Sequence, residues 1–236
     1  MCDEYGADHN GTYYTGAAGD LFVERGTQHI IQKVLLDTGT TPDQVITMGS
    51  SMGGTAALKF GMRLGVRGIV AVCPHIDLDI CAVRQDRWRH VAFICPDGDP
   101  VGAQNHVYTR QIRRYIEELD GRTPPRLFMQ SCADDTGVHA EQVLPLVDTW
   151  RRQGGRVDLD ERPKGGHTSD WATRALLLDA AERILAGEDI DLPMYQTQAP
   201  YLGALTRDPL SHQLRRRASL TRKRLRMLIS PPAGRA

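Results

Sequence analysis

A serine, two aspartates and a histidine stand far apart in this chain, each at a place where it could share in one acyl-transfer reaction. Ser51 lies in Gly49-Ser50-Ser51-Met52-Gly53, a G-x-S-x-G arrangement with an apolar run before it and an alanine-rich helical pattern after it. A serine hydroxyl is a weak nucleophile, so it needs a sharp turn to expose it and a base to take its proton. At such a turn strand and helix pass so close that side chains two before and two after the serine would collide. Ser51 has glycine at both positions, whereas Ser50 would need one at Met48. The N–H of Met52 would then open the helix and face a developing oxyanion. A plain glycine-rich turn, or a phosphate-binding one, is the competing reading.

The partners of such a serine follow in the order acid, then histidine, each after a strand. "RLFMQSCADDTGVH" supplies Asp134 and Asp135 just past an apolar strand pattern. Asp134 is the first choice by its distance from the apolar run, with Asp135 as the alternative acid; two solvated loop carboxylates are the bland reading. "VDLDERPKGGHTSDW" supplies His167 after a glycine pair that lets the loop reach back over the sheet. One other constellation competes. His75, Asp77 and Asp79, with Asp97 and Asp99 later, offer nitrogen and oxygen ligands. Their spacing meets no firm metal pattern, and His75 is expected in the wall or lid of the pocket. No metal or cofactor is expected.

These residues need an α/β scaffold to bring them together. The pattern from Leu21 is helical, with Ile30, Ile31, Val34 and Leu35 on one face and Gly39 as a stop. "QVITM" and "RGIVAVCP" read as strands around the helix "GGTAALKFGMRLG", a βαβ unit that makes the sheet parallel there. Further on, Arg89–Pro96 reads as a strand, His106–Leu119 as a helix, "RLFMQSC" as a strand, Ala140–Gln153 as a helix, "RVDLDERP" as a strand and Trp171–Ala186 as a helix. The expected architecture is a mostly parallel sheet with helices on both faces. Residues 1–190 form the catalytic domain and 191–236 a basic tail.

Composition narrows the class. With 236 residues, 41% hydrophobic and 25% charged, the chain suits a globular protein with a sizeable core. No apolar run approaches the roughly 20 residues of a membrane span, and the polar start does not read as a secretory signal. Five scattered cysteines without a CxxC pair suggest a reducing cytoplasm. Of 29 basic and 29 acidic residues, nine basic and one acidic fall in Arg207–Ala236, which leaves the body acidic and the tail basic. A tail with Arg215, Arg216, Arg217, Arg222, Lys223, Arg224 and Arg226 among leucines suits an anionic membrane surface or a protein partner. Nucleic acid does not fit, because Arg207–Ala236 has no aromatic residue for base stacking.

Taken together, Gly49–Gly54, Asp134/Asp135 and His167 resemble the α/β-hydrolase superfamily over roughly 21–185. "DEYGADHNGTYYTG", "GSSMGGTAALKFG", "CADDTG" and "GGHTSD" are similar to the XcbB/CpsF group of capsular polysaccharide biosynthesis proteins and to accessory-secretion proteins that O-acetylate glycans. The resemblance implies an acyl-enzyme at Ser51, with His167 as base and Asp134 or Asp135 as orienting acid. It further implies an acyl-ester donor, with water or a glycan hydroxyl as acceptor. The sequence departs from the superfamily at its start. Only about twenty unpatterned residues precede the first helix, where several strands are the rule, and no His-Gly-Gly-Gly loop is present. The simplest expectation is a chain that begins partway into the domain. A non-catalytic scaffold for a polysaccharide-biosynthesis or secretion partner is the alternative function.

Overall fold

The computed structural model describes residues 3–197. After an N-terminal loop, α1 (Phe22–Thr38) leads to β1 (Ile46–Ser50), α2 (Met52–Leu64) and β2 (Gly68–Val72). Four short helices follow: α3 (Leu78–Arg84), α4 (Trp88–Ala92), α5 (His106–Thr109) and α6 (Gln111–Glu117). Then come β3 (Arg126–Cys132), α7 (Leu144–Arg152), β4 (Val157–Arg162), α8 (Arg174–Ala186) and α9 (Leu192–Thr197). The four strands are all parallel in the order β1-β2-β3-β4. This is the α/β architecture expected, with each strand returned to the sheet through a helical crossover.

The period-two alternation of the central strands divides the core into two layers. Ile69, Ala71, Leu127 and Met129 face α2, α6 and α7, meeting Leu58, Ile112, Ile116, Leu146 and Trp150. Val70 and Phe128 face the other way, against Leu176, Ala180 and Ile184 of α8 and Tyr195 of α9. Burial on both sides explains why β2 is apolar at every position instead of alternating. Tyr195 is fully buried, and the Arg162 guanidinium donates to its carbonyl at 2.6 Å, so the packed domain continues past the boundary expected at residue 190. The described residues all fall within one compact unit. The arginine-rich segment lies outside the described residues. Among those described, no helix is long and apolar enough to cross a membrane.

Two expectations are corrected. Arg89–Pro96 is not a strand: α4 covers Trp88–Ala92 and turns follow. Its buried residues, Val91, Ile94 and Cys95, are spaced i, i+3, i+4, a helical spacing rather than an alternating one. The segment from Ala140 begins in a wide π-turn, His139–Val143, before α7 takes up regular helix. The apolar face of α1 is as the sequence pattern gave it, and much of it is exposed, with Ile30 at 49% and Val34 at 53%. Among the described residues no strand lies beyond β1 for it to cover. An open groove of about 330 Å³ runs there instead, lined by Ile31, Met48, Gly53, Ala56 and Phe60 among others.

What anchors α1 is polar. Glu24 is buried in its first turn, where Arg63 donates to one carboxylate oxygen at 2.9 Å and Tyr115 to the same oxygen at 2.8 Å. Lys59 lies 3.3 Å from the other oxygen, and Gln111 donates to it at 3.1 Å. The Lys59 ammonium also donates to the carbonyls of Tyr13 and Tyr14 and to the Thr15 hydroxyl, which ties the N-terminal loop down onto α2. Burial pushes the Lys59 ammonium down to about 8, with Glu24 pulling it back up. A buried charge is tolerated because every donor of the ammonium has a partner.

Candidate active site

β1 ends at Ser50, and Ser51 takes φ 53° and ψ −120° before α2 begins at Met52. A positive φ on a residue with a side chain is strained, and the surrounding contacts must hold it. They do so through the Ser51 N–H, which donates to the Val72 carbonyl at 2.8 Å, and through the absence of a side chain at residue 49. A Cβ on Gly49 would sit 2.1 Å from the carbonyl oxygen of Gly53. The steric reason given for Gly53 does not hold, because a Cβ there meets nothing within 4 Å and points into the open groove. Met52 is the first residue of α2, so its N–H has no helical carbonyl to reach and stays available to an anion. The N-terminal loop packs against this residue: a Cβ on Gly11 would lie 2.6 Å from the Met52 sulfur.

His167 arrives on the loop after β4. Gly165 has φ 147°, and a Cβ on it would meet Cys132 Sγ and Trp171 Nε1 at 2.8 Å each. The loop is closed by the Trp171 indole, which donates to the Lys164 carbonyl at 2.9 Å and stacks under the Arg162 guanidinium. The Cys73 thiol, at the end of β2, donates to the Thr168 carbonyl at 3.0 Å. So held, His167 Nε2 lies 2.9 Å from Ser51 Oγ, and Nδ1 lies 2.9 Å from Asp135 Oδ2.

The two aspartates divide their work. Asp134, the first choice from the sequence, does not touch the imidazole. Its carboxylate accepts from the backbone N–H of Gly165 at 3.1 Å and of Gly166 at 2.8 Å. Asp135, the alternative, faces the ring. The turn after β3 explains the exchange: the Asp135 N–H donates back to the Cys132 carbonyl, and this bend carries the second aspartate, not the first, toward the histidine. The structure therefore brings Ser51, His167 and Asp135 together and leaves Asp134 one step behind them.

His75 is the contact that the sequence pointed to least specifically. It is 1% exposed, and its ring lies face to face on that of His167, centroids 4.5 Å apart and planes 8° from parallel. Tyr13 Oη shares a hydrogen bond with His75 Nδ1 at 3.2 Å. The acids beside it are engaged elsewhere. Asp77 accepts from Arg113 Nε at 2.7 Å, and Asp79 from Arg110 Nε at 2.9 Å. Asp97 accepts from the amides of Gln104 and Asn105. Among the described residues no group of three or more His, Cys, Asp or Glu is placed to hold a metal ion.

No family profile matches the chain. A curated isochorismatase of Bacillus subtilis (strain 168) is 28% identical over 88 residues, which are 37% of this chain and 28% of that protein. Solved structures match more of it. A Gap123 glycosylation-associated protein complex from Streptococcus agalactiae has TM-score 0.60 at 20% identity, covering 75% of this chain and 35% of that one. The capsule O-acetyltransferase of Neisseria meningitidis serogroup A has TM-score 0.56 at 18% identity, covering 78% and 71%. FphF, a fluorophosphonate-binding serine hydrolase of Staphylococcus aureus, has TM-score 0.54 at 14% identity, covering 73% and 68%. The chain spans about a third or less of the isochorismatase and of the Gap123 chain. It shares with these solved structures one fold, of the α/β-hydrolase type.

Proposed function

We propose that the chain is a serine-dependent acyl-transfer enzyme, an ester hydrolase or O-acyltransferase, with Ser51 as nucleophile, His167 as base and Asp135 as orienting acid. The observation that carries this reading is the continuous hydrogen-bonded line from Ser51 Oγ through both nitrogens of His167 to Asp135, at 2.9 Å in each link. With the Asp135 carboxylate accepting from Nδ1–H, the free lone pair of His167 is on Nε2, where Ser51 donates its proton. Ser51 Oγ bonds to the acyl carbon as the proton passes to Nε2, and the carbonyl oxygen gains charge beside the Met52 N–H. His167 then returns the proton to the departing alcohol as the C–O bond breaks, leaving an acyl-enzyme. Water or a sugar hydroxyl attacks next by the same route in reverse. The capsule O-acetyltransferase and the glycosylation-associated complex among the structural neighbours favour a glycan O-acyl group as the one moved.

A labelled fluorophosphonate tests this directly, because it reacts only with an activated serine. The parent chain should label, and Ser51→Ala should not label while keeping its circular dichroism spectrum and melting temperature. An unlabelled parent chain would favour a scaffold that has kept the fold without the chemistry.

A further inference from the structure

The reaction above uses Ser51, His167 and Asp135 and leaves the stacked ring of His75 without a task. That ring is held with unusual care for a residue of a wall. It follows directly from β2, its carbonyl accepts from the Thr55 hydroxyl at 2.6 Å, and the next two backbone N–H groups donate to Gln142 at 2.8 and 2.9 Å. Tyr13 pins one edge of the imidazole. Its Nε2 is buried without a well-formed hydrogen bond, with the Gln85 side chain as the polar group beside the ring. A leucine here, with a phenylalanine in place of Tyr13, would fill the same volume and bury no polar atom that needs a partner, which is the cheaper solution if packing were the whole purpose.

We propose that His75 is a positioning residue for His167: a neutral ring whose face fixes the plane of the catalytic imidazole and lies against it when it takes up the serine proton. The inference rests on reading the site as an acyl-transfer centre. Parallel rings 4.5 Å apart leave His167 little freedom to turn out of line with Ser51 and Asp135. The π face of an uncharged ring attracts a cation set over it. A charged neighbour would do the opposite, so the proposal needs His75 to stay neutral. Burial, then the adjacent His167, push His75 down to about 3, with Arg87 acting the same way and Gln85 against it. The other groups facing His167 are accounted for. Asp135 holds Nδ1, Asp134 holds the loop amides, the Cys73 thiol is on Thr168, and Cys132 lies under Gly165.

Two variants of similar bulk separate a face from a filler. His75→Phe keeps an aromatic face and gives up the bond to Tyr13, while His75→Leu keeps the volume and the exclusion of water with no face at all. On p-nitrophenyl acetate, His75→Leu should lower kcat about tenfold with little change in KM, and His75→Phe should stay within about threefold of the parent. Thermal melting of both shows whether either loss is one of folding. Proton NMR reads the stack without turnover: the carbon-bound ring protons of His167 should lie upfield in the parent and in His75→Phe and move downfield in His75→Leu. The His75 ring signals should not titrate between about pH 5 and 9. Equal activity of the Leu and Phe variants at equal stability, or a His75 ring that protonates in that range, would overturn the inference. An intact stack in a chain that never labels at Ser51 would instead sink the proposed function and leave the positional claim standing.

Discussion

Replacing each aspartate of Asp134-Asp135 by asparagine should give two different kinds of damage. Asp135 Oδ2 lies 2.9 Å from His167 Nδ1, with the two side chains 13% and 26% exposed. In Asp135→Asn the amide can present its NH2 to Nδ1, which then becomes the acceptor and moves the ring proton to Nε2. That tautomer cannot accept the proton of Ser51. The imidazolium formed in the reaction also loses its counter-charge, an interaction of about 4 kcal/mol for charges about 4 Å apart at a partly screened site. The two effects together correspond to a fall in kcat of roughly a thousandfold to ten-thousandfold. Asp134→Asn loses less. Its remaining oxygen can still accept from one of the two amides, so the cost is one charge-assisted hydrogen bond of about 1.5–3 kcal/mol to the loop, seen as a lower melting temperature and about a tenfold loss of rate. The assay is kcat on p-nitrophenyl acetate beside the rate of fluorophosphonate labelling. A larger catalytic loss at residue 134 than at 135, or a loss below tenfold at both, would refute the assignment of the acid.

Gly49→Ala should destabilise the fold by about 3 kcal/mol or abolish soluble expression, because its Cβ would meet backbone atoms of Gly53 that cannot step aside; a melt unchanged from the parent would mean that the elbow is wider than described. Gly53→Ala should be tolerated in the melt, since the added methyl enters open space. Lys59 gives a pH dependence with a definite sign. Its folded value of about 8 lies below the ordinary lysine value, so between the two the unfolded chain binds more protons and this group's contribution to stability rises with pH. Below pH 8 the buried ammonium costs about 3 kcal/mol. The stability difference between the parent and Lys59→Met, from urea denaturation at pH 7, 8, 9 and 10, should therefore change across that window. A flat difference would refute it.

Much of this fold can be read from the chain because its central strands are buried on both faces and bounded by glycine, proline or polar turns. "GIVAV" and "RLFMQSC" have no other comfortable place. The elbow was legible for the same reason, since Gly49 records a backbone contact as a residue type. What failed was local. "RHVAFICP" has too few residues to show its period, and the contacts of Val91 and Ile94 with Tyr13 and Leu78 decide it. Adjacent aspartates cannot be ranked by distance from a strand when one turn of backbone decides which of them faces the ring. The apolar stripe of α1 is plain in the sequence while its exposure is not, because amphipathicity announces a surface to be covered and does not say what covers it. Nothing in the spacing of His75 and His167 foretells a stack, which arises only once the segments after β2 and β4 meet at the carboxyl ends of the parallel strands.

The bond from Ser51 to His167 joins residues 116 positions apart, and three parallel strand pairings must form around it. Contacts of that reach are the last to be rewarded as a chain folds. Reactivity toward a fluorophosphonate is therefore a clock for the whole domain, not for the elbow alone. On the ribosome, the serine is made early and stays inert until β4 and the glycine loop have emerged. A chain halted anywhere between residues 51 and 167 would carry the nucleophile and be silent to the probe. In a refolding experiment the label should appear after the helical signal has returned, and its delay would time the closing of the sheet's far edge.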